Sequence, residues 1–417
     1  MLAWLPVDLT LVAALVVLAS AIVSALTTRL PFPHLLPPLV LLVVFTFGLI
    51  AASFDAYSAA KVAVMFSVTL FGLILAPVLV LTEKRRQFRF IIALLVVGFT
   101  ASLYTLVFPE TASAESNRLV FEGTNTIGTA RIAGAALLIC IVLVLARARR
   151  PQPTMGFLAL AAPLMVVLVM TGSRGPQLAL ALALGLAIIA SPQLRRHLRN
   201  LLPLALLGLA VIAAALSRGS DGLQKTIAFV AGGEDNSTLT RVSLWSESLT
   251  AIPQLPWGHG WGDFNALAQL TTSELSEDMF YPHNLILEIF VEGGWLTGIV
   301  VVALVAATLL KGALSAVDPV RAIIFGLAVF SLTNAMVSGD INDNRLLWVT
   351  LAIIWTFPPV NGRFPAARRP THFTRWGSGP RHWLRPGREL REGQALADHM
   401  APHGIEISRT SKAAEQA

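Results

Sequence analysis

The chain has 417 residues, 55% of them hydrophobic and only 13% charged, with a formal net charge of +7 and a mean hydropathy of +0.69. That much apolar surface exceeds what a water-soluble core of this length can hide, so the composition excludes a soluble globular enzyme and indicates a polytopic membrane protein. The single cysteine, Cys140, lies inside an apolar run, which excludes an intrachain disulfide.

Runs able to cross a bilayer core of about 30 Å fall at 9–26, 35–53, 60–81, 90–108, 127–145, 155–171, 176–190, 201–216, 285–310, 322–337 and 346–358, which gives eleven candidate helices. The first run has no basic leader and no A-x-A cleavage site, and it reads as a retained span. Between the eighth and ninth runs lies the one long polar interval, 217–283. The expected architecture is therefore all-α, with about eleven transmembrane helices and one large extramembrane loop. Residues 1–360 form the membrane domain.

Lys and Arg in short loops set orientation, because they resist translocation. Arg29, EKRRQFR at 83–89, RARR at 147–150, QLRRHLR at 193–199, Lys311, Arg321 and the tail fall on alternate loops. One face, the cytoplasmic one, takes them all. The long interval then faces outward, with the amino terminus outside and the carboxyl terminus inside. The tail, 361–417, carries ten Lys or Arg against five Asp or Glu. It reads as a basic, largely disordered cytoplasmic extension touching anionic membrane lipids. Its aromatics are sparse and no nucleic-acid motif accompanies them, so nucleic acid is not an expected partner.

The chemistry-bearing residues gather on the outward side. Arg174 sits in TGSRG, between two apolar runs and next to the start of a helix whose free amides and dipole attract anions. It is either a fixed cation for an anionic ligand or an arginine snorkelling to headgroups. Arg241 opens SLWSESLTAI, where Val242, Leu244, Trp245, Leu249 and Ile252 recur at helical period. It is a ligand cation or a surface cation paired nearby. LPWGHGWGDF places three glycines around His259, a compact backbone able to approach a ligand closely. A solvated turn histidine is the simpler reading there.

His283 lies in YPHNLILEIFVEGGW, where the interval meets the next span. Pro282 disfavours helix before it and Asn284 can cap the helix after it. A neutral imidazole at that place can take a proton from a hydroxyl, or serve as a buried structural histidine. Glu288 and Glu292 follow at one- and two-turn spacing, able to orient the histidine or hold a polar neighbour. SGDINDNR supplies Asp340, Asp343 and Arg345, either a plain polar turn or a carboxylate and a cation for the same site. There is no phosphate-binding glycine loop, no acidic pair of nucleotide-sugar type and no metal-spaced His or Cys cluster. Chemistry driven by ATP, nucleotide sugars or metals is therefore not expected. A donor that carries its own pyrophosphate leaving group fits better.

The ordered set TGSRGPQLALALALGLA, TRVSLWSESLTAIPQLPWGHGWGDF and HNLILEIFVEGGWLTGIV resembles the O-antigen ligase and Wzy-type polymerase superfamily of bacterial envelope proteins. The resemblance implies a multi-pass enzyme of the bacterial inner membrane, with its active site facing the periplasm. It implies an inverting, metal-independent glycosyltransferase without a cofactor. The donor would be an undecaprenyl-pyrophosphate-linked glycan, and the acceptor lipid A-core in a ligase or a lipid-linked repeat in a polymerase of O-antigen or exopolysaccharide. It marks His283, Arg174 and Arg241 as catalytic. Arg131, after GTNTIGTA, resembles a further family arginine, and an acidic residue in a later outward loop corresponds to Asp340 or Asp343. Asn284, Glu288 and Arg345 complete the expected substrate-binding set. The alternative from another class is a polysaccharide or lipid transporter, which would place charges along the middle of several spans.

Overall fold

The computed structural model describes residues 9–27, 32–113, 116–146, 151–231, 236–267 and 281–358. Arg29, the basic cluster at 147–150 and the tail at 361–417 lie outside the described residues. The elements in chain order are α1 (Leu9–Thr27), α2 (Phe32–Phe47) and α3 (Ala56–Val64), which runs through a π-helical stretch, Met65–Leu75, into α4 (Ala76–Val80). Then come α5 (Lys84–Val107), strands β1 (Glu110–Ser113) and β2 (Ser116–Val120), α6 (Thr126–Ala146), α7 (Pro151–Met170) and α8 (Arg174–Ala190). They are followed by α9 (Pro192–Arg195), α10 (Leu202–Ser217), α11 (Asp221–Val230), α12 (Asn236–Ala251) and α13 (Phe264–Leu267). The last are α14 (Leu285–Ser315), α15 (Pro319–Ala335) and α16 (Arg345–Trp355).

Five helical units are long and apolar enough to cross a membrane: Ala56–Val80, Lys84–Val107, Thr126–Ala146, Leu198–Ser217 and Leu285–Ser315. Six shorter apolar helices accompany them among the described residues. The protein is a multi-pass, all-α membrane protein, with one small hairpin among the described residues. Beyond Arg131 the helix α6 is apolar on all sides and accordingly central. Ala133, Leu138, Ile139, Cys140 and Val142 are fully buried, packed with residues of α5, α7, α8 and α15. Small residues allow the close approaches: Gly98 of α5 lies against Ala136, and Gly134 against Phe330.

A second cluster joins α2, the π-helical stretch, α14 and α16 around Phe45, Trp261 and Trp348. Three of the expected cytoplasmic cations fall at one end of the bundle. Lys84 Nζ and Arg321 Nε lie 3.2 and 3.6 Å from the Asp318 carboxylate, and Lys311 Nζ donates to Trp355 O at 2.8 Å.

Two details depart from the sequence expectation. The polar segment PETASAESNRLV forms an antiparallel pairing, with Glu110 opposite Val120 and Thr111 opposite Leu119. The second apolar run ends as helix at Phe47, not 53, because residues 48–53 are recruited as a docking edge: Trp261 N donates to Gly48 O, and Ser53 N to Asp263 Oδ2 at 2.7 Å.

Candidate functional site

The site is built on a broken helix. Within α14, Gly294 has φ 80° and ψ 177°, so the helical hydrogen-bond ladder is interrupted there. Beyond the break, 295–315 rises about 31 Å at 1.5 Å per residue, enough to span a bilayer core by itself. The first turns, with Glu288 and Glu292, therefore need not cross. A break leaves backbone groups unpaired, which is costly at membrane depth unless protein covers them. LPWGHGWGDF supplies the cover: His259 N donates to Val291 O at 2.8 Å, Gly260 N to Glu292 O at 3.0 Å, and Trp295 N to Pro256 O at 3.0 Å.

The turn's glycines are required by this docking. Gly258, Gly260 and Gly262 all have positive φ, and a Cβ on any of them would meet the backbone of Glu292, Ala51 or Ser58. The close approach expected of a ligand is thus made by the protein's own chain. Trp261 is fully buried, with Nε1 donating to Phe45 O at 2.8 Å.

At the head of α14, His283 has φ 53°, a left-handed conformation rare for a side-chain-bearing residue. Such strain costs about 1–3 kcal/mol and persists only where the surroundings impose it. Asn284 imposes part of it: its Oδ1 accepts from Ile286 N at 3.1 Å and Leu287 N at 3.2 Å, capping the helix. The His283 ring packs on Tyr281, with centroids 4.5 Å apart. Trp245 Nε1 donates to Pro282 O at 2.9 Å. This pins α12 to the His283 turn, and Arg241 stands one helical turn before Trp245, on the same face.

Arg131 reaches the opposite wall. Its guanidinium donates to Ser338 O at 2.7 Å and Asn334 O at 3.1 Å, while its Nε is buried without a hydrogen-bond partner. It lies within electrostatic reach of Asp343, Tyr281 and Arg241. One oxygen of Asp340, Oδ1, holds its own turn, accepting from Asn342 N at 2.9 Å and Asp343 N at 2.8 Å. Burial and the adjacent Asp340 carboxylate push the Asp343 carboxyl up, against the opposing pull of Arg131 and Arg345. Burial, with Asp343, Asp340 and Glu288 nearby, pushes the Tyr281 phenol up, so that it stays a donor.

Arg174 opens α8 beside Ser173, whose buried hydroxyl has no hydrogen-bond partner. The turn before it is tight, with Gly172 at φ 63° against Gly222, and Arg118 Nε braces it by donating to Thr171 O at 2.8 Å. Gly175 abuts Val337, the neighbour of the Ser338 that Arg131 holds.

Residues 157–302, from α7 into α14, match the family model described as O-antigen ligase. That segment is O-antigen ligase-like. The O-antigen ligase-like segment contains Arg174, Arg241, His283, Asn284 and Glu288, and it ends eight residues past the Gly294 break. Arg131, Asp340, Asp343 and Arg345 lie outside it. No curated protein and no solved structure matches the chain.

The structure thus brings Arg131, Arg241, Tyr281, His283 and Asp343 together, and sets Arg174 on the neighbouring α8 turn. Glu288 and Glu292 are both fully buried and face Lys61, whose Nζ lies 2.7 Å from Glu288 Oε1 and 2.7 Å from Glu292 Oε2. The sequence reading missed Lys61. Its signal was a lone cation inside an apolar run, FDAYSAAKVAVMF, in a chain with two glutamates spaced one turn apart. Among the described residues, no three His, Cys, Asp or Glu side chains converge as ligands for a metal.

Proposed function

We propose that the protein moves a glycan from undecaprenyl pyrophosphate to an acceptor hydroxyl of lipid A-core, on the periplasmic side of the bacterial inner membrane. What supports this reading most is the convergence of Arg241 and Arg131 on the strained His283 turn. His283 takes the proton of the acceptor hydroxyl as its oxygen attacks the anomeric carbon. The new C–O bond forms with inversion while the bond to the pyrophosphate breaks. Arg174, Arg241 and Arg131 hold the departing undecaprenyl pyrophosphate, whose charge grows as the bond cleaves. Tyr281 and Asn284 orient the imidazole and acceptor, and Asp343 with Arg345 sets the field around Arg131. No cofactor enters any step.

The test is the envelope-glycan profile of a deletion strain in which wild type or His283→Ala is restored. Bare core beside long lipid-linked chains in the deletion, corrected only by wild type, is the ligase outcome. Core carrying a single repeat instead marks a polymerase. A His283→Ala strain with the wild-type profile sinks the catalytic reading.

A further inference from the structure

Lys61 makes contacts that stability alone does not explain. It is 4% exposed and ties its ammonium to two carboxylates that are themselves fully buried. Both oxygens of Glu292 face it, at 2.7 and 2.9 Å, and Glu292 Oε2 also accepts from Gly262 N at 3.0 Å. Glu288 Oε1 accepts from Ile341 N at 3.1 Å, while its Oε2 is buried without a hydrogen-bond partner. The Lys61 carbonyl accepts from Asn342 Nδ2 at 3.0 Å, and Asn342 Oδ1 accepts from Thr69 at 2.8 Å.

Lys61 and its two acid partners thus join four segments: α3, the short first half of α14, the glycine turn and the 340–344 loop. Buried ion clusters are weak sources of stability, since apolar residues of equal volume commonly serve as well or better. What the cluster does fix is relative position. Glu288 lies just over one helical turn from the His283 turn, and Ile341 lies two residues before Asp343.

We propose that Lys61 is a positioning residue for the transfer reaction. Acting through Glu288 and Glu292, it sets the register between the His283 turn and the loop that carries Asp343 and holds Arg131. The proposal rests on the reading of His283 as the base. Lys61 touches no substrate. Its removal displaces the base from the acceptor hydroxyl, and a shift near 1 Å is enough to lower turnover about 100-fold with little effect on donor binding.

The experiment measures kcat and KM for the undecaprenyl-pyrophosphate-linked donor with purified full-length protein, across pH, at matched concentrations of folded protein. Lys61→Met and the charge-free triple variant Lys61→Met, Glu288→Leu, Glu292→Met are expected to lose about 100-fold in kcat, with KM within about threefold. The residual activity is expected to keep the wild-type pH midpoint, because His283 still acts. Lys61→Arg, which keeps the bridge on a longer arm, is expected to lie between, about tenfold down. A wild-type kcat in Lys61→Arg or in the triple variant overturns the proposal, as does a loss confined to KM. His283→Ala in the same assay separates the two failures. Activity there removes the function reading itself, whereas a dead His283→Ala beside fully active Lys61 variants removes only the role of Lys61.

Discussion

Gly260→Ala tests the docking of the glycine turn onto the broken helix most directly. At φ 108° the new methyl group enters a region that non-glycine residues avoid, at a cost of about 1–2 kcal/mol. It would also stand 2.6 Å from Ala51 O and 2.6 Å from Ala52 Cα, backbone atoms with no flexible end to swing away. Overpacking of that kind costs about 1–3 kcal/mol. If the turn lifts, the bonds from His259 N and Gly260 N to α14 are lost as well, at about 1 kcal/mol each. These contributions overlap, so about 3–5 kcal/mol is expected. At roughly 2 °C per kcal/mol the detergent-solubilised protein should melt about 6–10 °C lower.

Gly208→Ala is the matched control, because it sits inside α10 with nothing within 4 Å of its added Cβ. It should be neutral or stabilise by about 0.5–1 kcal/mol. If Gly260→Ala melted within about 1 °C of wild type, the turn would not be docked as described.

Three further outcomes are expected. Arg174→Lys keeps the charge but loses the planar fork, and its turnover should fall at least tenfold at normal membrane levels; near-normal activity there counts against pyrophosphate binding by Arg174. Trp245→Phe keeps the ring and removes the bond to Pro282 O, so it should cost about 1 kcal/mol in thermal stability and lower turnover severalfold by releasing Arg241; equal turnover would show that α12 needs no such pin. Asn284→Ala should destabilise by about 1 kcal/mol and Asn284→Ser by much less, since serine also caps; an equal drop in both melting temperatures would refute the capping role.

The helices were legible because apolar runs in this chain are long and their polar breaks sharp: the expected run at 127–145 is α6, Thr126–Ala146, within a residue at each end. The head of α14 was legible from Pro282 and Asn284, whose backbone and capping chemistry are local. Glycine spacing in LPWGHGWGDF announced a close approach, yet not to what, because the partner is the backbone of α14 some thirty residues on. Lys61 was hidden for the same reason: its partners lie more than two hundred residues away. Asp340 and Asp343 are chemically alike in sequence. Only the turn geometry shows that one oxygen of Asp340 holds its own backbone, while Asp343 feels the charges of Arg131 and Arg345.

The place of Cys140 has a practical consequence. As the chain's single cysteine, fully enclosed in the middle of α6, its thiol is shut away from water and from aqueous maleimides. The native protein therefore behaves toward such reagents as if it had no thiol. Cysteines introduced singly into α11, α12 or the 340–344 loop would be the reactive ones, without first removing a core residue. Paired spin labels or fluorophores placed there would read the distance between α12 and the 340–344 loop, and show whether it changes when a lipid pyrophosphate is added.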